Sequence, residues 1–290
     1  MISGSMGTVQ IVCDSTADVD AADIAAWGLT VVPLRVIFGD EVFRDRADLS
    51  VAQFYERLSS GPHYPRTSQP TPAEFEAVFR RVGAGGDPIV CTTISAGLSG
   101  TYGSAVQARQ ALPDMDIRVV DTQSVAPGHY AAVALAAAAR EQGAGVDEIV
   151  QELEKLRASQ RIVFSLNTLE FLKRGGRIGG AQAFVGTMLS IKPILAIEKG
   201  TVDAISRVRT YPRALDRLVE MLAEASRKWG PTIAITAHAA CPERAADVAS
   251  RVSEITGQTS KIIEIGPVIA CHSGPDAIGL HFHPALDYEI

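Results

Sequence analysis

The side chains of this chain that could do chemistry are mostly hydroxyls gathered at turns. The richest stretch is Cys91-Thr92-Thr93-Ile94-Ser95-Ala96-Gly97-Leu98-Ser99-Gly100-Thr101-Tyr102, which carries several hydroxyls and no charge. It leaves an apolar run, Ile89 to Ile94, that reads as a parallel strand, and it opens a helical pattern. That is the sheet edge where ligands bind in open α/β folds. A helix start offers free N–H groups and partial positive charge, so this hydroxyl-rich segment can hold a small anion such as a carboxylate. A plainer reading stands beside it: Ser99 caps the helix, while Thr93 and Ser95 make turn bonds. In Arg66-Thr67-Ser68-Gln69-Pro70-Thr71, Thr71 has a capping role, which leaves Thr67 and Ser68 for a ligand or for ordinary loop bonds. In Gly266-Pro267-Val268-Ile269-Ala270-Cys271-His272-Ser273-Gly274-Pro275 an apolar run precedes His272. This predicts a strand end facing a cleft, or a histidine with a structural role only.

Other chemistries find less support. Gly97-Leu98-Ser99-Gly100 lacks the G-x-S-x-G spacing of a hydrolase elbow, and neither a P-loop nor G-x-G-x-x-G occurs. Lys173 to Gly180 matches a phosphate loop in composition only, and a solvated turn or a partner-binding loop is the better reading. Asp14, Asp18, Asp45 and Asp121 stand near strand ends, where capping explains them as well as general base catalysis does. His281 and His283 have an i, i+2 spacing that a metal could use, but no acid or cysteine completes a set. The four cysteines, Cys13, Cys91, Cys241 and Cys271, form no C-x-x-C pair, which argues against zinc or a disulfide framework. No catalytic residue, metal or cofactor is expected.

These side chains must be positioned by alternating strands and helices. Val9–Cys13, Thr30–Phe38, Ile89–Ile94 and Ile117–Val120 read as strands, with Pro33 marking an edge or a break. Thr71-Pro72-Ala73-Glu74 predicts a capped helix start, and Phe75, Val78, Phe79 and Val82 follow at helical spacing. Gly100–Ala111 and the alanine-rich Gly128–Arg140 are further helices. Beyond Gln160 the texture changes. Arg161–Leu166 is a strand, and Pro193–Glu198 and Thr201–Val208 flank a Lys199-Gly200 turn as a hairpin. Helices over Tyr211–Trp229 and Pro242–Ile255 alternate with strands over Thr232–Thr236 and Lys261–Ile265. The pattern predicts two α/β domains, residues 6–158 with a mostly parallel Rossmann-like sheet and residues 159–290 with a mixed sheet.

The chain has 290 residues, 47% apolar and 21% charged, with a net charge of −6. Interspersed charges argue against a nucleic-acid surface or a polybasic membrane anchor. No apolar stretch of about 18 residues suggests a spanning helix, so stable membrane insertion is not expected. Ile2–Met6 reads as a cloning remnant before a native start at Met6, no secretory signal is evident, and a cytoplasmic location is expected.

Six segments occur in a telling order: Val12-Cys13-Asp14-Ser15-Thr16-Ala17-Asp18, Thr67-Ser68-Gln69-Pro70, Leu98-Ser99-Gly100-Thr101-Tyr102, Leu169-Glu170-Phe171-Leu172-Lys173-Arg174-Gly175-Gly176-Arg177-Ile178, Ile191-Lys192-Pro193-Ile194-Leu195 and Ile265-Gly266-Pro267-Val268. Together they resemble the DegV family, which includes the fatty-acid-binding subunits of bacterial fatty acid kinase. The resemblance implies a long-chain, palmitate-like fatty acid held between two α/β domains. It implies that Thr67 and Ser95 bind the carboxylate with His272 nearby. Because Ala96 stands where the family usually has a second serine, Ser99 is the alternative contact. It further implies that a separate ATP-dependent kinase subunit phosphorylates the carboxyl group, with Arg209, and Arg207 beside it, at the partner contact; an exposed strand charge is the plainer reading of Arg209. Phe171, Phe184, Met188, Leu189 and Leu195 are candidate tail lining or simply core. Two other functions stay open: a serine hydrolase using Ser95 or Ser99 with His272 on lipid esters, and a binder of another small anion such as a phosphosugar.

Overall fold

The structure, a computed structural model, describes residues 8–61, 63–187 and 191–288. The first half runs β1 (Gln10–Asp14), α1 (Ala21–Ala26), β2 (Thr30–Val32), β3 (Arg35–Phe38), β4 (Glu41–Arg44), α2 (Val51–Ser60), β5 (Arg66–Ser68), α3 (Pro72–Val82), β6 (Ile89–Thr93), α4 (Thr101–Gln110), β7 (Ile117–Asp121), α5 (Pro127–Glu141) and α6 (Val146–Ser159). The strands β2-β1-β6-β7 form a wholly parallel sheet. Every residue of β6, and all but the first of β1, is buried. A sheet covered on both faces needs unbroken apolar runs, which is why these strands do not alternate.

The run Thr30–Phe38 divides between two sheets. Pro33 has no N–H to give to a ladder, and the chain leaves the parallel sheet there. It then forms β3, which pairs antiparallel with β4 and β5 in a separate three-stranded sheet. This small sheet carries Thr67. At the start of α3 the Thr71 hydroxyl accepts from Glu74 N–H while the Glu74 carboxylate accepts from Thr71 N–H, with Pro72 in the first turn. Phe75 and Phe79 of that helix are fully buried.

The second half runs β8 (Arg161–Ser165), α7 (Glu170–Arg174), β9 (Lys192–Glu198), β10 (Thr201–Val208), α8 (Tyr211–Trp229), β11 (Thr232–His238), α9 (Pro242–Thr256), β12 (Lys261–Glu264), α10 (Pro267–Ser273) and β13 (Ile278–Pro284). Its six-stranded mixed sheet has the order β10-β9-β8-β13-β11-β12, with only β11 and β12 parallel. The segment before His272 is helical, where an extended end was expected. Gly266 supplies the extended cap, Pro267 opens the first turn, and Gly274 closes the helix with a positive φ; these are the residues that start and stop helices.

The alanine-rich α5 lies between the two large sheets, packed on β1 and β6 of one and on β8, β11 and β13 of the other. Small side chains let the layers approach, so the main apolar cluster runs through both halves, from Val9 to Ala277. On β13, Phe282 packs into the cluster under α8 and α9. By strand alternation His281 and His283 take the opposite face. Both are buried, their rings are 5.3 Å apart, and neither ring nitrogen of His281 has a partner.

Burial holds His281 well below the usual histidine range and brings His283 down to about 4, and it lowers His129 as well. The unfolded chain therefore binds more protons than the folded one as pH falls below about 6.5, so stability falls with acidification. Asp18 and Asp45, raised by burial to about 7 and about 6, act in the opposite direction on fewer groups. The melting temperature is expected to drop between pH 7 and pH 4.5. His281→Leu should keep or raise the value at pH 7 and lessen the drop, as read by thermal melts across pH; a drop of unchanged size would contradict this account.

Candidate functional site

A cavity opens beyond the carboxyl ends of β6 and β7, between the two halves of the chain. It encloses about 940 Å³ of empty space, its open mouth included. Its wall is mostly aliphatic. Ile94, Leu98 and Val125 come from the first half, and Ile162, Phe164, Leu166, Leu172, Ile197, Val202 and Val268 from the second. Polar side chains enter the wall as Thr67, Ser68, Gln69, Ser99, Arg177, His272 and Ser273. An apolar cavity with a few polar groups is the form of a small-molecule site.

The polar groups are assembled from distant segments. Thr67 Oγ1 lies 3.0 Å from His272 Nε2, across 205 residues of chain. The buried Nδ1 of His272 has no partner, and it faces Gly175, where a Cβ would overlap it. That pattern assigns the proton to Nε2, which donates to Thr67 Oγ1 and leaves the threonine proton for a ligand. Burial and the Arg177 cation lower the His272 pKa to about 4, so the ring is neutral at neutral pH. Gly274, which ends α10, has positive φ and would overlap Phe171 if it carried a Cβ. The ends of α7 and α10 therefore interlock through two glycines.

Ser99 reaches the wall. Its hydroxyl lies 2.8 Å from Thr101 Oγ1 and accepts from Thr101 N–H at 3.3 Å, so it also serves the helix start. Ser95 does not line the cavity. Its hydroxyl is fully buried, donates to Gly200 O at 2.6 Å and accepts from Gly97 N–H at 3.1 Å. It ties the hydroxyl-rich loop to the β9–β10 turn. Neither serine is hydrogen-bonded to His272, whose Nε2 is taken by Thr67 and whose Nδ1 meets no carboxylate. That is not the geometry of a serine nucleophile with its base.

Arg177 is the site residue that the sequence does not announce. Its Nε donates to Leu98 O at 3.0 Å and its Nη1 to Gly175 O at 2.7 Å. A guanidinium pinned by two carbonyls presents its remaining donors in a fixed direction, which suits a carboxylate or phosphate. The signal was the loop Lys173–Gly180, whose composition resembled a phosphate loop.

Among the expected tail-lining residues, Phe171 packs on Tyr64 at 5.4 Å, and its neighbour Leu172 reaches the wall instead. Phe184 is half-buried against the main cluster. Leu195 is fully buried in the core, with Ile197, two residues on along β9, in the wall. Met188 and Leu189 lie outside the described residues. Arg207, on the edge strand β10, and Arg209 just beyond it are exposed, and neither side chain has a hydrogen bond or ion pair among the described residues. No group of three or more metal-ligating side chains comes together among the described residues, and no helix among them is long and apolar enough to cross a membrane.

Known proteins agree with this architecture. A DegV-domain protein of Deinococcus radiodurans is 38% identical over 278 residues, covering 96% of this chain and 99% of the relative. Protein DegV of Bacillus subtilis is 31% identical over 278 residues, covering 94% and 98%. A DegV family protein from Thermus thermophilus, described for its fatty acid binding, superposes with a TM-score of 0.90 at 34% identity, covering 96% of this chain and all, 100%, of that one. DegV from Bacillus subtilis, described as a fatty acid binding protein, gives 0.88 at 29% identity, covering 96% and 100%. The family model described as uncharacterised protein, DegV family, matches residues 8–285, and the chain belongs to the DegV family.

Proposed function

We propose that this chain binds one long-chain fatty acid in the cavity between its two halves. The observation that carries the reading is an aliphatic channel with its hydrogen-bonding groups at one place, Thr67, Ser99, His272 and Arg177. The similar proteins described as fatty acid binding support it. Burying roughly fifteen methylenes at about 0.8 kcal/mol each gives a gross gain of about 12 kcal/mol, which ordering and desolvation reduce. The tail then supplies most of the affinity, and the head group supplies orientation.

In this reading the Thr67 hydroxyl donates to the carboxylate while neutral His272 holds the threonine from behind. Ser99 gives a second donor, and Arg177 faces the anion from the mouth. Ser95 keeps the loop in place through Gly200. The acid's exposed oxygen is then free to attack a phosphoryl group, and we assign the phosphorylation of the carboxyl group to acyl phosphate to a separate ATP-dependent kinase subunit. Its support is the order of sequence motifs shared with carriers of that kind, together with Arg207 and Arg209, exposed and with side chains unpaired among the described residues, as contacts for such a partner. The carrier itself is read as non-catalytic, because among the described residues neither Ser95 nor Ser99 is hydrogen-bonded to His272.

Lipid extraction of the denatured protein, followed by mass spectrometry, should release a free fatty acid; an extract without lipid contradicts the reading. A hydrogen bond to a charged group contributes about 1.5–3 kcal/mol, so Thr67→Ala should weaken palmitate binding by about 10- to 100-fold. Calorimetry showing wild-type affinity in that variant would remove Thr67 from the head-group site.

The tail path gives a second test. Gly279 lines the cavity opposite Phe164 and Ala237 in register. A Cβ there would meet little but the Cβ of Phe164 at 3.5 Å, an ordinary contact. Gly279→Leu is expected to fold, to fill the channel, and to shift the copurifying acids to shorter chains or reduce occupancy. An unchanged chain-length profile would place the tail elsewhere.

A further inference from the structure

The first sequence motif, Asp14-Ser15-Thr16-Ala17-Asp18, takes no part in the cavity wall, yet its last aspartate reaches the other half of the molecule. Asp18 is buried, and its Oδ1 accepts from Gly266 N–H at 2.9 Å. Gly266 is the cap of α10, the helix that carries His272 in its last turn. Arg46 closes the same contact: its Nη2 donates to Asp18 Oδ1 at 3.4 Å and to Glu264 O at 2.5 Å. Asp45, also buried, accepts from the Ser15 hydroxyl at 2.7 Å, and the Val268 N–H in the first turn of α10 favours its ionised form. Ser15 Oγ in turn accepts from Leu34 N–H at 3.1 Å. Space at the junction is tight, since a Cβ at Gly266 would stand 2.6 Å from Asp18 Oδ1 and 2.7 Å from Arg46 Nε.

We propose that Asp18, Asp45 and Arg46 are positioning residues, a latch from the first half that holds the start of α10 and thereby sets His272 against Thr67. The helix is seven residues long, so it moves as a short rigid rod. One end is fixed by the Asp18 carboxylate, which accepts from the Gly266 N–H at the cap, and the other end presents the imidazole. Tilting the first end swings the second away from Thr67 Oγ1, and with it the donor that orients the threonine proton. Burial raises both aspartates toward neutrality, to about 7 for Asp18 and about 6 for Asp45, so an asparagine, which keeps the accepting oxygen, can stand in for Asp18.

The inference rests on the fatty-acid reading for its ligand measurement but not for its geometry, and the test separates the two. Hydrogen exchange at the amides of α10 is compared in the full-length wild type, Asp18→Ala, Asp18→Asn and, as a control at a buried carboxylate outside the latch, Glu152→Gln. Asp18→Ala should speed exchange in α10 by roughly tenfold, the equivalent of one lost hydrogen bond, while Asp18→Asn and Glu152→Gln stay near wild type. Palmitate dissociation should quicken by a similar factor in Asp18→Ala. The double variant Asp18→Ala/His272→Ala should release palmitate no faster than His272→Ala alone, because both changes act on one contact. Unchanged α10 exchange in Asp18→Ala, or fully additive release rates, would overturn the latch. If the wild type binds no palmitate, the fatty-acid reading fails, and the exchange result alone decides the latch.

Discussion

The hydrogen bond between Thr67 and His272 joins segments 205 residues apart, and the polar end of the cavity exists only because it forms. Thr67 comes from a three-stranded sheet with no parallel strand, and His272 from a short helix between strands of the mixed sheet. Neither half holds this polar pair by itself. What brings them together is the shared core, in which α5 fills the space between the large sheets with alanine. The site is thus a consequence of how closely the layers approach.

The electrostatics follow from the same packing. A buried imidazole beside a guanidinium does not take up a second proton at neutral pH, so His272 acts as a neutral donor. The positive charge sits on Arg177, exposed at the mouth and pinned by carbonyls of Leu98 and Gly175. A carboxylate in this place would meet neutral donors inside and a cation outside. Such an arrangement orients the anion without burying an ion pair, whose desolvation cost can exceed its attraction. It also leaves the apolar channel behind it free of charge.

Much of this architecture is legible in the residues. The unbroken apolar runs of β1 and β6, the capping box at Thr71 and the hairpin around Lys199-Gly200 name their own structures, because each rests on local backbone chemistry. The segment before His272 did not. An apolar run of that length suits strand or buried helix equally, and the deciding signals were Pro267 at the start and Gly274 at the end. The helix Val51–Ser60 is not among the predicted elements, although Ser50 and Gln53 form a capping box. Side-chain direction was the harder matter. Ser95 and Ser99 share one loop, yet one hydroxyl meets Gly200 and the other the cavity, since the direction depends on a turn 105 residues away. In the same way Leu172 and Ile197 take wall positions for which Phe171 and Leu195 were candidates; residue type alone does not say which neighbour faces the channel.

The central claim is that an acyl chain fills this channel with its carboxylate at Thr67. A crystal structure of the chain with bound palmitate tests it most directly. The account predicts continuous acyl density along Leu166, Phe164 and Ile162, with a carboxylate oxygen within hydrogen-bonding distance of Thr67 Oγ1. Density for the chain outside the channel, or a carboxylate remote from both Thr67 and Arg177, would contradict it.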